Sequence, residues 1–250
     1  MPLLSYQLYS SRNFAGLDET CGMLARLGYE AVEPYGALFA QPDALVHAVE
    51  TNGLRVPSAH IALADLEADP DRFIDLATRL GIRNYYAPYL MPDQRPTDAA
   101  GWREFGARLG RAGAPLAEAG LGFGWHNHEF EFVPTKDGTI PMQEIFDAAP
   151  DLEWEADIAW IIRGGADPLE WIARHGPRIT AAHVKDIAPK GEKVDEDGWA
   201  DPGTGTVDWP GLYAALAGTS AAIFVMEHDN PSDDERFAKA GMALHSGLEN

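Results

Sequence analysis

Eight short apolar runs alternate along the chain with eight longer amphipathic stretches, and few folds satisfy that pattern. The runs are Leu3–Tyr9, Glu30–Pro34, Leu54–His60, Asn84–Pro88, Leu121–His128, Leu152–Ile158, Ile179–Val184 and Ala222–Glu227. Helical patterning falls between them at 15–27, 42–52, 70–80, 98–119, 141–148, 167–175, 208–217 and 232–247. Several helices carry their own punctuation. Asp69-Pro70-Asp71 opens the third and Gly81 closes it, while Asp167-Pro168 opens the sixth and Gly176-Pro177 ends it. Strict strand–helix alternation predicts parallel βαβ units. A doubly wound open sheet would alternate too, but the turn after the first run is Ser10-Ser11-Arg12-Asn13 rather than a G-x-G-x-x-G loop. The expected fold class is therefore α/β, a single (β/α)8 TIM barrel with one domain over residues 1–250.

Composition narrows the partners. The chain is 46% hydrophobic and has one cysteine, Cys21, so its core must form by apolar burial without an internal disulfide. A net charge of −20, with Arg and Lys scattered, argues against nucleic acid. Met1–Gln7 shows no charged leader pattern, and no apolar run approaches the roughly 20 residues of a membrane span. No membrane association is expected, and the expected compartment is the cytoplasm.

In a parallel barrel, chemistry gathers at the C-terminal ends of the strands. Here the second run ends in Glu33, the third in His60, the fifth in His126-Asn127-His128, the sixth in Asp157, the seventh in His183 and the eighth in Glu227. Side-chain alternation sharpens the pattern. Gly122, Gly124, His126 and His128 share one face of the fifth strand, and Phe123 and Trp125 take the other. Glu155 and Asp157 share a face, as do Ala181, His183 and Lys185, and Val225 and Glu227. Small or apolar residues are thus expected low in the barrel, with polar groups at the rim. A lone strand-end His is more often a satisfied hydrogen-bonding residue, and a lone carboxylate more often a helix cap. Several converging on one mouth would stay unsatisfied or repel unless a cation or substrate organised them. Mixed nitrogen and oxygen donors suit a borderline divalent ion better than Ca²⁺. No C-x-x-C or H-E-x-x-H pattern is present, so the donors must come from separate strands.

These residues resemble the sugar phosphate isomerase/epimerase superfamily, the xylose isomerase-like barrels that also include endonuclease IV-type repair nucleases. The resemblance rests on Gly28-Tyr29-Glu30-Ala31-Val32-Glu33, on the HNHxFEF stretch within Gly124–Phe132, and on Asp157-Ile158-Ala159-Trp160 followed by Gly164-Gly165-Ala166-Asp167-Pro168. It continues through His183-Val184-Lys185-Asp186, Gly203–Trp209 and Met226-Glu227-His228-Asp229. The resemblance implies one divalent metal (Mn²⁺, Co²⁺, Zn²⁺ or Mg²⁺) held by a Glu, an Asp, a His and a second Glu. Asp157, His183 and Glu227 match the last three. The fifth strand offers His126 in place of the first Glu; His128, Glu129 and Glu131 are alternatives, and side-chain parity favours His126.

The implied activity is metal-dependent isomerisation or epimerisation of a sugar or keto-sugar through an enediolate. A dehydratase or lyase of the inosose type on the same metal site is the alternative. A sugar-binding barrel without catalysis and an endonuclease IV-like phosphodiesterase are more remote. Trp160 stands where the nuclease would need another His, and the acidic surface opposes a duplex. In this reading Glu227 is the base, with His128 or His126 as acid/base on the other side, and Lys185 donates to the enediolate oxygen or forms a salt bridge with Asp186 or a loop carboxylate. Glu33 and His60 would meet substrate hydroxyls, and Trp160, with Trp199, would offer a stacking face. The charged, glycine-containing loop from Ala188 to Asp208 is expected to be a lid, an oligomer contact or a solvated excursion. Arg12, Arg95, Lys136, Arg163 and Lys185 do not cluster as a phosphate site would, so a neutral sugar is expected over its phosphate. A homo-oligomer is expected, as is usual for such barrels.

Overall fold

Parallel strands cannot be joined by tight turns, so every return passes through a helix on the outside of the sheet. In the computed structural model, which describes residues 2–248, the barrel strands are β1 (Leu3–Gln7), β2 (Ala31–Glu33), β3 (Ser58–His60), β4 (Asn84–Ala87), β5 (Gly122–His126), β6 (Glu153–Asp157), β7 (Ile179–Val184) and β10 (Ile223–Met226). β8 (Asp186–Ile187) and β9 (Trp199–Ala200) form a separate antiparallel ribbon. The parallel order is β2-β1-β10-β7-β6-β5-β4-β3. The ring closes between its ends: Arg55 donates to the Glu30 carbonyl, Val32 to that of Arg55 and His60 to that of Pro34, each at 2.9 Å. The architecture is a (β/α)8 barrel.

The helices are α1 (Leu17–Leu27), α2 (Pro42–Thr51), α3 (Leu63–Ala68), α4 (Pro70–Leu80), α5 (Ala99–Glu118), α6 (Pro141–Ala148), α7 (Ile158–Arg163), α8 (Pro168–His175), α9 (Trp209–Leu216) and α10 (Asp234–Leu248). The expected signals operate: the Asp69 carboxylate caps α4 through the Arg72 N–H, and Gly81 ends it at φ 76°, which suits glycine. Two six-residue helices, α3 and α7, lie beyond the eight that the sequence pattern predicts. They follow β3 and β6 directly and belong to the mouth. Among the described residues no helix is long and apolar enough to cross a membrane.

Apolar burial divides into two regions. A large cluster fills the layer between sheet and helices and includes Phe105 packed edge-on against Trp125 at 5.1 Å. A small plug of Tyr86, Ala181, Ile223 and Val225 occupies the barrel interior. Gly124 makes room for that plug, because a Cβ there would stand 2.7 Å from both the Glu153 carbonyl oxygen and the Tyr86 ring. The expectation of an apolar lower barrel holds only in part. Asn84 and Thr180 both donate to the inward Glu153 carboxylate, and above the plug lie Glu33, Glu155 and Ser58, all fully buried.

Candidate active site

Above the apolar plug the inward positions of six strands carry titratable groups, and the pleat sorts them into two tiers. The upper tier brings His126, Asp157, His183 and Glu227 together, with one possible ligand atom from each within 4.8 Å of the others. Each is positioned by its own element. Asp157 ends β6 and caps α7 through its Oδ1, which accepts the Trp160 N–H at 2.9 Å. Its backbone is pinned by Asn127, whose amide accepts from Asp157 N and donates to Asp157 O, both at 3.0 Å. The same Asn127 oxygen accepts from Trp154 Nε1 at 2.8 Å, so the residue between the two histidines ties β5 to β6 on the outer face.

The lower tier is the group His60, His126, Glu155 and His183, whose donor atoms also fall within 4.8 Å of one another. Glu155 Oε2 lies 2.5 Å from His60 Nε2, 3.1 Å from His126 Nδ1 and 3.2 Å from His183 Nε2. Glu33 Oε1 lies 2.9 Å from His183 Nε2 and accepts from Gln7 Nε2 at 2.8 Å, while Ser58 donates to Oε2. Both Glu33 oxygens are thus engaged, and the carboxylate is fully buried and off the cavity wall, away from the substrate hydroxyls that the sequence expectation gave it. His60 does reach the cavity wall.

Lys185, wholly buried, compensates the carboxylates. Its Nζ stands 2.8 Å from Glu227 Oε2, 3.0 Å from Asp229 Oδ2 and 3.2 Å from Asp157 Oδ2. Pairing with Asp186 does not occur, because the Asp186 carboxylate accepts the N–H groups of Gly203, Gly205 and Val207 and folds the following loop back. Of the expected alternatives for that loop, the solvated excursion holds for its first half, where residues 189–195 are all exposed, but the second half is anchored: Trp199 is buried, Arg163 lies 3.2 Å over its ring, and Glu196 and Asp201 are tied to Arg236.

Burial opposes every charge in this cluster, and neighbours decide which survive. Burial raises Glu227, but Lys185 and His183 outweigh it and hold the carboxyl well below the usual range. Burial likewise raises Glu155, yet His183 and His60 pull it well down. For Asp157 burial wins over Lys185 and pushes the pKa up to about 6. Burial lowers His183, but Glu155 and Glu227 carry it well above the ordinary imidazole value. His126 is pushed down to about 3 by burial and by His183, and His128 is driven well below its usual value by burial and His126.

A cavity of about 640 Å³ opens above the upper tier, with His60, His126, His128, Glu227 and Asp229 on its floor. Its walls include Tyr9, Tyr35, Tyr89, Leu63 and Met91. His128 packs against Tyr89 at 4.9 Å and Trp160 at 5.1 Å, and its buried Nδ1 has no hydrogen-bond partner. Trp160 lies behind His128 against Trp199, at 4.7 Å, and neither indole is on the cavity wall. The aromatic rings on that wall are those of Tyr9, Tyr35 and Tyr89. Glu131 is committed elsewhere, accepting from Trp125 Nε1 at 2.7 Å and from His128 N at 2.9 Å. That contact steers His128, and it leaves His126 as the fifth-strand member of the upper tier.

Sequence reasoning missed Asp229, Tyr89, Glu155, Gln7 and Asn127. Parity did place Glu155 beside Asp157, but a carboxylate two residues inside a strand gave no sign of its three imidazole neighbours.

The xylose isomerase-like TIM barrel family matches residues 22–246, and the chain belongs to that family. It is 26% identical over 235 residues to an inosose dehydratase of Geobacillus kaustophilus, covering 80% of this chain and 75% of that protein. Among solved structures it is similar to a sugar phosphate isomerase/epimerase from Parabacteroides distasonis, with a TM-score of 0.81 at 18% identity, covering 97% and 92% of the two chains. The zinc-bound IolI protein is similar as well, with a TM-score of 0.73 at 16% identity over 100% of this chain and 96% of that one.

Proposed function

We propose that this barrel is a metal-dependent enzyme that enolises a sugar or keto-sugar and returns the proton elsewhere, as an isomerase or epimerase does. The observation that carries this reading is the upper tier. Two imidazoles and two carboxylates from four strands converge beneath an open cavity, and Asp157 Oδ2 is buried there with the Lys185 ammonium 3.2 Å away but no well-formed hydrogen bond among the described residues. The donor set fits a borderline divalent ion: His126, Asp157, His183 and Glu227 would hold it, in keeping with the zinc of the similar IolI protein. Such an ion supplies Lewis acidity to a ketone oxygen, which makes the neighbouring C–H acidic.

The remaining work falls to the chain's own side chains. Glu227, charged and on the cavity floor, is the base for that C–H proton. Lys185, sealed off from the cavity, holds Glu227 in place and keeps it charged. His128, neutral and with an unpartnered Nδ1, handles the second proton. The tyrosines present flat apolar faces to the C–H side of a sugar ring.

The substrate is a neutral sugar, because the arginines around the mouth are already engaged. Arg108 makes two hydrogen bonds to Glu67 at 2.7 and 2.6 Å, Arg95 lies 3.6 Å over Phe130, and Arg12 lies 3.8 Å over Tyr9. A second reading, dehydration, is favoured by one observation. The fifth-strand donor is an imidazole, so the upper tier has one carboxylate, Glu227, on the cavity, and a neutral imidazole suits protonation of a leaving hydroxyl.

The test is a keto-sugar panel in D₂O with Zn²⁺, Mn²⁺ or Co²⁺. Deuterium is expected beside the carbonyl, lost in Glu227→Gln, with loss of water marking the dehydratase. No exchange with any metal would overturn the proposal and leave a binding protein.

A further inference from the structure

His126 and His183 belong to both tiers, and an imidazole can serve only one tier with a lone pair while its other nitrogen carries a proton. Which nitrogen does which follows from a chain of hydrogen bonds that begins outside the site. The Tyr9 N–H donates to Gln7 Oε1 at 3.1 Å, which fixes the orientation of the Gln7 amide. Its Nε2 must then donate, to Glu33 Oε1 at 2.8 Å and towards His60 Nδ1 at 3.4 Å. His60 Nδ1 is therefore an acceptor, and the His60 proton sits on Nε2, facing Glu155 Oε2 at 2.5 Å. That same carboxylate oxygen accepts from His126 Nδ1 at 3.1 Å. His183 Nε2 is bracketed by Glu33 at 2.9 Å and Glu155 at 3.2 Å, both acceptors only. Its other nitrogen, Nδ1, faces Glu227 at 3.0 Å in the upper tier.

We infer that Glu155, with Glu33, is a positioning residue for the metal site: it holds the proton of His126 on Nδ1 and that of His183 on Nε2, so that the upward nitrogens are the ones left to the cation, His183 Nδ1 giving up the proton it shares with Glu227 in the metal-free chain. Carboxylates behind metal-binding imidazoles fix tautomer and ring orientation in this way. The inference rests on the metal reading above and assigns the two tiers different duties. The upper tier offers the cavity a carboxylate, Glu227, beside His126 and takes the cation; the lower tier reaches the cavity through imidazoles, His60 and the shared His126, while its carboxylates Glu33 and Glu155 are fully buried. Filling both tiers would require His126 and His183 to lose their second protons and bridge two ions. It also explains how an imidazole can stand where the resemblance implies a Glu, because Glu155 supplies the negative charge one layer down.

The test uses the full chain with Zn²⁺ and Co²⁺ as probes. In zinc-loaded, ¹⁵N-labelled protein, long-range ¹H–¹⁵N spectra should show His126 protonated at Nδ1 and His183 at Nε2. Glu155→Ala should weaken Co²⁺ binding about 10- to 100-fold and shift the Co²⁺ absorption bands, and Glu155→Gln, which keeps one acceptor, should lose less. The tautomer measurement needs no variant and stands even if neither substitution folds. The inference is overturned by the opposite tautomer at either histidine, by two cations per chain, or by Co²⁺ affinity in Glu155→Ala within twofold of the parent. In each of those results a cation is still bound, so metal dependence itself survives. A parent protein that takes up neither ion overturns the proposed function too.

Discussion

Lys185→Met offers a sharp test of how the site is held together before any ligand binds. The substitution keeps the length of the buried stem and removes an ammonium that stands 2.8 to 3.2 Å from three carboxylates. Each contact corresponds to roughly 5 kcal/mol at an effective dielectric constant of about 20, largely offset by the cost of burying the charges. The Asp229 side chain is 25% exposed and partly screened, so Asp157 and Glu227 carry most of the effect. Removing one partner of such a cluster costs about 3–5 kcal/mol, and that loss is expected for the metal-free protein in urea unfolding at pH 7. The pH dependence has a definite sign. Asp157 already sits at about 6 through burial, despite the opposing pull of Lys185, and rises further without it. A carboxyl with a raised folded pKa takes up a proton that the unfolded chain does not, so stability is gained as pH falls towards 5. The deficit of Lys185→Met should therefore shrink between pH 7 and pH 5. A loss below about 1 kcal/mol at pH 7, or a deficit that grows at pH 5, would refute the reasoning.

Three further outcomes follow. Gly124→Ala should destabilise the barrel by about 1–3 kcal/mol, since its Cβ meets the backbone of β6 and the Tyr86 ring at 2.7 Å; an unchanged urea midpoint would contradict the interior packing. His175, pushed down to about 4 by burial and by Arg178, favours the fold fully above its ordinary value near 6.5. That contribution is lost as pH falls through 4, so His175→Phe should flatten the acid side of the stability profile. In a matched pair, the unphosphorylated keto-sugar should show the higher kcat/KM, and a faster phosphate ester would mean that an engaged arginine is released on binding.

What the sequence makes legible is set by periodicity. The eightfold alternation specifies the barrel, and strand-end parity picks out His126, Asp157, His183 and Glu227, which the structure brings together. Parity also points Trp125 outwards, and there it meets Phe105. Depth is harder to read than direction. Glu33 and Glu227 both end strands, yet Glu33 is fully buried and Glu227 is on the cavity: Glu33 is still paired with Gln7 in the sheet, whereas Glu227 lies one residue past the last pair of its strand, a difference that no local pattern encodes. The roles of Gln7 and Asn127 depend on partners 26 to 53 and 27 to 30 residues away, so their neighbours in the sequence say nothing of them. Helices α3 and α7 span fewer than two turns, too short for a period to show. The tyrosine walls come from loops, where alternation has stopped.

The central claim is that one divalent cation is held by the upper tier, and anomalous scattering from zinc-soaked crystals tests it most directly. The account predicts a single strong peak per chain, about 2.0–2.2 Å from one nitrogen each of His126 and His183 and one oxygen each of Asp157 and Glu227. A saturated crystal with no peak among those four side chains, or with its zinc among His60, Glu155 and the lower faces of the two shared imidazoles, would contradict it.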